Sequence, residues 1–120
     1  MLILDTDVCL SILKGSAKSK DLFSGNGDEI CVTFITVNEL FFAANRSGDS
    51  IGNRILAEKF LLTVRIIHPD LAVLKYLADL QSTLKKKGKN PCLQDMLIYS
   101  ISRVHGARLV TGQSKRYCFT

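Results

Sequence analysis

The amino-terminal stretch MLILDTDVCLSIL, residues 1–13, decides the fold class of this chain. Residues 2–4 form a short, wholly apolar run, which is typical of a strand that is buried on both faces. Asp5 and Thr6 follow at once, and both are residue types that favour the N-cap of a helix. We therefore predict a strand that leads directly into a helix, which is the first half of a βαβ unit.

The same alternation recurs along the rest of the chain. Apolar runs predict strands at 30–35, 64–67 and 108–111, and helical spacing of apolar residues predicts helices at 36–48, 51–62, 69–88 and 90–106. The last helix is expected to start with Asn90 as N-cap and Pro91 in its first turn, and to bury a stripe that includes Leu93, Leu97 and Val104. Strands that alternate with helices need crossovers, and crossovers cover both faces of a parallel sheet. The expected fold is α/β, a three-layer α/β/α sandwich with a mainly parallel sheet of four or five strands, in one domain over residues 1–120.

Composition narrows the classes of function. The chain has 120 residues, 47% of them hydrophobic, and 16 Lys and Arg against 11 Asp and Glu give a formal charge of +5. No apolar run approaches the roughly 18 residues of a membrane span, so we expect a soluble, cytoplasmic protein that does not enter membranes. The four widely spaced cysteines argue against a zinc site or a disulfide framework. The basic charge raises the expectation of a nucleic-acid partner.

Three carboxylates are expected at one edge of the sheet. Asp5 follows the first strand, Glu39 lies in the first turn of the helix after the second, and Asp95 lies early in the helix before the fourth. Sites in parallel sheets form beyond the carboxyl ends of the strands. Glu39 and Asp95 each stand two positions after an apolar residue of the buried stripe, so we expect both to point away from the core. Because neighbouring carboxylates repel unless a cation neutralises them, the group predicts a hard divalent ion such as Mg²⁺.

Each acid also has a purely structural explanation. Asp5 can cap the first helix, and Asp95 near a helix start gains from the macrodipole. Thr36 and Glu39 fit a capping box. Taken singly, these explanations are favoured, and only the joint arrangement of the three acids indicates a site.

Four segments, in order and spacing, resemble the PIN domain ribonucleases, in particular the VapC-type toxins of toxin–antitoxin pairs. The segments are LDTDV at 4–8, ITVNEL at 35–40, GKNPCLQDMLI at 88–98 and LVT at 109–111. The resemblance implies a PIN-like α/β/α fold, acids that hold Mg²⁺ or Mn²⁺, and endonucleolytic cleavage of RNA by a metal-activated water. It also implies two partners, an RNA substrate and a cognate antitoxin, and leaves a homodimer open.

The resemblance further implies roles for single residues. The catalytic acids and metal ligands are Asp5, Glu39 and Asp95. The polar residues that line the site are Thr6, Asp7, Thr111 and Gln113. Apart from the resemblance, Lys115 and Arg116 follow the proposed site directly in the sequence and are candidate contacts to RNA phosphates, for which an ordinary basic tail is an equally good interpretation.

Departures from the family pattern support two alternatives. Gln113 stands near the fourth acidic position of the family, and the family usually continues beyond the position of Thr120. Both features favour a binding module on the same fold with weakened catalysis. A further hypothesis takes Asp5 and Asp7 as the nucleophile and acid of a phosphatase of the haloacid dehalogenase type, which Cys9 and the chain length fit poorly.

Overall fold

The computed structural model describes residues 1–15 and 27–119. Its four strands are β1 (Leu2–Leu4), β2 (Ile30–Thr33), β3 (Arg65–Ile67) and β4 (Arg108–Val110). The α-helices in these residues are α1 (Thr6–Leu13), α2 (Phe34–Asn45), α3 (Ser50–Leu61), α4 (Leu71–Lys86) and α5 (Leu93–Val104). A 3-10 helix at Ser114–Tyr117, called the C-terminal turn below, follows β4. The strands form one sheet in the order β3-β2-β1-β4 with every pair parallel, so the predicted α/β class and parallel sheet are confirmed.

Helices cover both faces of this sheet. On one face, Leu4 of β1 packs in a cluster with Leu40 of α2. On the other face, Ile3 packs with Val73 of α4 and Ile101 of α5. Because successive side chains of a strand point to opposite faces, the wholly apolar β1 needs a helical layer on each side. The predicted three-layer arrangement is therefore confirmed.

Strand order brings the residues after β1 and β4 together. β1 lies between β2 and β4, and Leu4 pairs in register with Val110. The backbone N–H of Asp5 donates to the carbonyl of Val110 at 3.0 Å, which extends the pairing by one residue. Asp5 and Thr111 consequently meet at the carboxyl end of the sheet although 106 positions separate them.

Short polar residues and glycine set the helix ends. Asp49 and Asp70 cap α3 and α4 by accepting hydrogen bonds from the backbone N–H groups of Gly52 and Val73. Gly106 follows α5 with a φ of 61°, a conformation that suits glycine and turns the chain into β4. None of the helices within residues 1–15 and 27–119 combines the length and the apolar character needed to cross a membrane.

Helix α2 begins earlier than the sequence pattern predicts. Phe34 is already helical, and Thr33 is the N-cap, although its side chain makes no capping hydrogen bond. The predicted capping box of Thr36 and Glu39 is wrong, because Thr36 lies inside the helix and its hydroxyl meets that of Thr6. The run at 30–35 is apolar throughout, and such a run gives no periodicity that separates the end of a strand from the start of a helix.

Helix α5 also differs from its prediction. Cys92 is the N-cap, so Asn90 and Pro91 do not start the helix. Leu93 is 50% exposed, whereas Asp95, expected to point away from the core, is only 7% exposed. The reason is that α5 contacts α2, α4, β4 and the C-terminal turn, and a helix with neighbours on several sides buries more than one stripe.

Two leucines of α5 test this burial pattern. Leu97 is 9% exposed in a cluster with α4 and the C-terminal turn, so Leu97→Ala should lower the free energy of unfolding by about 2–5 kcal/mol. Leu93→Ala, the matched change at a half-exposed position, should lower it by less than about 1 kcal/mol. Urea unfolding of both variants gives the two values, and equal losses would contradict the described orientation of α5.

Candidate active site

Asp5 lies where β1 passes into α1, and only 1% of its surface is exposed. Its Oδ1 accepts a hydrogen bond from the backbone N–H of Val8 at 3.0 Å and so caps α1. Its Oδ2 accepts a hydrogen bond from the hydroxyl of Thr111. The Thr111 oxygen in turn accepts from the backbone N–H of Gln113 at 3.0 Å. The capping role predicted for Asp5 is confirmed, and the same carboxylate also ties β1 to the segment after β4.

Glu39 is half-buried on α2 and is held by the first residue of α1. The Thr6 hydroxyl donates to Oε1 of Glu39 at 2.6 Å, and the hydroxyl oxygens of Thr6 and Thr36 are 3.1 Å apart. Thr6 therefore follows Asp5 in the sequence and contacts Glu39 in space. This contact brings the second predicted acid to the same end of the sheet.

Asp95 binds the guanidinium of Arg116 from the C-terminal turn. The Nη2 atom of Arg116 donates to Oδ1 of Asp95 at 2.6 Å and its Nε donates to Oδ2 at 3.3 Å, a two-pronged geometry. Its Nη1 reaches Oδ2 of Asp7 at 3.4 Å. The hydrogen bond to Asp95 is the main cause that raises the pKa of Arg116, with further contributions from the charges of Asp95 and Asp7. Arg116 therefore stays positive in this position.

Tyr117 lies within electrostatic range of the three acids. Its side chain is buried, and its ring stands edge-on to that of Phe119. Burial raises the pKa of Tyr117, and the negative charges of Asp5, Asp95 and, least, Glu39 raise it further. All three carboxylates thus lie within electrostatic range of one phenol, which remains protonated and able to donate.

Sequence reasoning missed Tyr117 as a site residue. A tyrosine that follows Ser114, Lys115 and Arg116 has the local context of a surface residue, and no periodicity marks its buried face. Only the return of the C-terminal turn onto α5 places it beside the acids.

The remaining predicted residues divide into two groups. Asp7 and Arg116 form an ion pair with an N···O distance of 3.4 Å, and Arg116 also binds Asp95. Both residues therefore lie beside one of the three predicted acids. Gln113 and Lys115 are exposed, and within residues 1–15 and 27–119 neither side chain forms a hydrogen bond or ion pair with an acid. Lys115 is therefore not brought together with the carboxylates, whereas its neighbour is.

The donor set suits a hard divalent cation in its chemistry, since its members are carboxylate oxygens. In the described parts of the chain, no group of three or more His, Cys, Asp or Glu side chains is arranged so as to hold a metal ion. Both oxygens of Asp95 accept hydrogen bonds from Arg116. Among the described residues, Asp5 and Glu39 accept only from neutral donors. A carboxylate as enclosed as Asp5 needs hydrogen-bond donors or positive charge around it. Asp5, Glu39 and Asp95 therefore suit such a cation by the chemistry of their oxygens, and Asp95 can take part only when Arg116 has moved.

Comparisons with known proteins agree with this architecture. The family model of the PIN domain matches residues 2–115. The tRNA(fMet)-specific endonuclease VapC of Shigella flexneri is 23% identical over 116 residues, which are 96% of this chain and 88% of that protein. A chain of VapBC2 from Rickettsia felis, bound to a DNA fragment from their promoter, superimposes with a TM-score of 0.86 at 23% identity, covering 98% of this chain and 93% of that one. A chain of a toxin–antitoxin complex from Klebsiella pneumoniae superimposes with a TM-score of 0.75 at 19% identity, covering 98% and 91%.

Tyr117 predicts a loss of stability in alkaline solution. The folded state keeps its phenol protonated above a pKa of about 10, the value of an exposed tyrosine, so the unfolded state releases the proton first. The free energy of unfolding should therefore fall as the pH rises above about 10. Tyr117→Phe lacks this proton, and its free energy of unfolding should fall less steeply between about pH 9 and pH 11.

Denaturant titrations at several pH values compare the two proteins. The pKa of Tyr99 is also raised by burial, but Tyr99 is present in both proteins and its contribution cancels. Parallel dependences on pH would show that Tyr117 is not enclosed among the acids as described.

Proposed function

This chain belongs to the PIN domain family, and from this premise we propose that it is an endoribonuclease, the toxin of a toxin–antitoxin pair, which depends on Mg²⁺ or Mn²⁺. The observation that carries the proposal is the enclosed Asp5, with Glu39 and Asp95 in range of the same tyrosine, at the carboxyl end of a parallel sheet. The endonuclease name of the Shigella relative supports the reaction type. We further propose that residues 1–120 act as one domain in the cytoplasm.

Asp5, Glu39 and Asp95 are the proposed catalytic acids and the groups that would hold the divalent ion. Such an ion, when bound, supplies a lower pKa for an attacking water and neutralises charge that develops on the RNA phosphate. The chain contributes fixed positions for the acids. The N-terminus of α1 donates a hydrogen bond to one oxygen of Asp5, and Thr111 donates to the other. Thr6 donates to Glu39.

Tyr117 and Arg116, both from the C-terminal turn, are the proposed hydrogen-bond donors of the site. Tyr117 keeps its proton because burial, and then the nearby negative charges, raise its pKa, so its hydroxyl can donate to a phosphate oxygen or to water. Arg116 is a proposed contact to an RNA phosphate, because planar guanidinium groups match phosphate geometry. Lys115 beside it is exposed and is a second proposed phosphate contact.

Substitution of single acids tests the assignment. Asp5→Asn, Glu39→Gln and Asp95→Asn should each lower the rate of RNA cleavage at least about 100-fold, because each removes a charge that holds the ion or orients the attacking water. Asp79→Asn removes the same charge from an exposed position on α4 and should leave the rate within about twofold. Cleavage of a labelled RNA with Mg²⁺ or Mn²⁺, and with a chelator as the metal-free control, measures all four.

The outcomes separate the competing functions. Full activity of Asp95→Asn would remove Asp95 from the mechanism, and full activity in chelator would remove the metal. RNA binding without cleavage at any metal concentration would favour the catalytically weakened module that Gln113 suggests. The phosphatase hypothesis is not favoured, because the PIN family match covers residues 2–115 and includes the segment around Asp5 and Asp7.

We propose that a cognate antitoxin binds this chain. The Klebsiella neighbour is part of a toxin–antitoxin complex, and the described surface carries an apolar groove of about 350 Å³. The leucines that line the groove belong to α1, α2 and α3 and are Leu10, Leu13, Leu40 and Leu56. An apolar recess of this kind on a basic domain suits a partner that supplies apolar side chains.

Co-expression with the protein encoded next to it tests the partner. The expected result is a stable complex on size-exclusion chromatography and lower RNA cleavage than that of the chain alone. Ala43→Arg, a charge placed in the groove, should weaken the complex, whereas Lys75→Glu on the exposed face of α4 should not. Light scattering on the chain alone reports whether it forms a homodimer. Unchanged cleavage in the complex would contradict inhibition.

A further inference from the structure

Arg116 already supplies the acidic group with a positive charge. Its three donors reach both oxygens of Asp95 and one oxygen of Asp7, at distances of 2.6, 3.3 and 3.4 Å. In the described residues, these two aspartates form no other ion pair. Two carboxylates therefore share one guanidinium, and its two shorter contacts are to Asp95, one of the proposed metal ligands.

A divalent ion and Arg116 cannot both use Asp95 in this geometry. The two-pronged contact takes both oxygens of the carboxylate, and bringing a second cation against the guanidinium is repulsive. The Asp95 side chain is only 10% exposed, so it cannot turn to water for a new partner. The Arg116 side chain is 37% exposed and comes from a short turn, so Arg116 is the group that can leave.

We propose that Arg116 is the resident cation of this site and a positioning residue for Asp95. It holds the carboxylate in place when no divalent ion is bound, and a divalent ion joins Asp95 only by displacing it. The displaced guanidinium then faces the RNA phosphate. This inference rests on the proposed function, which supplies the divalent ion. It adds that Arg116 lowers the affinity of the site for that ion.

The expected consequence is thermodynamic. Only the fraction of molecules in which Arg116 has released Asp95 is competent to bind the ion through that ligand, and the apparent affinity is reduced by that fraction. Removing the guanidinium should therefore tighten metal binding. Removing a residue that only supports the structure would weaken metal binding or leave it unchanged. Coupling between two sites of this kind typically changes an affinity by roughly 5- to 150-fold.

Titration with Mn²⁺ alone, followed by calorimetry, tests the competition without RNA or cleavage. Arg116→Gln should bind Mn²⁺ about tenfold tighter than the wild-type chain, within the range that such coupling gives. Arg116→Lys keeps the charge but loses the two-pronged contact, so its affinity should lie between the two. Arg103→Gln removes the same charge about 12 Å along α5 from Asp95 and should bind as the wild type does.

Thermal unfolding supplies a second readout that does not require tight binding. In chelator, Arg116→Gln should have a lower Tm than the wild type, because Asp95 is left enclosed without a positive partner. Mn²⁺ should then raise the Tm of Arg116→Gln more than that of the wild type. If Arg116→Gln does not fold, Arg116→Lys carries the same comparison.

The outcomes keep this inference apart from the proposed function. Equal Mn²⁺ affinities of the wild type and Arg116→Gln, with weaker binding by Asp95→Asn, would overturn the inference and leave the nuclease proposal standing. Tighter binding by Arg116→Gln without any RNA cleavage by the wild type would support the inference and reject the nuclease. Failure of every variant to bind Mn²⁺ would overturn both the competition and the metal dependence.

Discussion

An enclosed carboxylate at the end of the central strand is the constraint on which this structure depends. Asp5 is 1% exposed, and its two oxygens bind the start of α1 and the hydroxyl of Thr111. The first contact turns the chain from β1 into α1, and the second joins the segment after β4 to that turn. A buried negative charge is unfavourable without compensation, so this position also creates a demand for donors and cations around it.

The chain meets that demand with groups from distant parts of the sequence. The helix dipole of α1 and two neutral donors stabilise Asp5, and Thr6 supports Glu39. Arg116 balances Asp95 and Asp7. Tyr117 stays protonated because burial raises its pKa, and the negative charges of Asp5 and Asp95 raise it further. The result is a site that remains negative overall yet keeps its acids fixed.

The fold and the charge balance of the site are under different constraints. The family match and the superposition at 23% identity show that the α/β/α fold persists while most side chains differ. Parallel strands covered on both faces require only apolar residues in the right places, and volume-conserving changes among those residues are tolerated. The charges beside Asp5 are under a different constraint, since each one alters the electrostatic environment of the others. Under the competition proposed above, Arg116 lowers the affinity of this site for divalent cations without altering the fold.

The sequence by itself determined the elements and the placement of the acids along them. Apolar runs and helical spacing located all four described strands and the five described helices. The position of Asp5 after β1 indicated that it caps α1 and that it lies at the carboxyl end of the sheet. These features are local, because periodicity and capping act over a few residues. Tertiary structure decided the start of α2 at Phe34, the exposure of Leu93 and the burial of Asp95.

Tertiary structure also decided the ion pair of Asp95 with Arg116, 21 positions away, and the place of Tyr117 beside three carboxylates. The physical reason is that the buried face of a helix and the partner of a charge are set by the elements that pack against them. Neither is encoded in the residues of one segment alone.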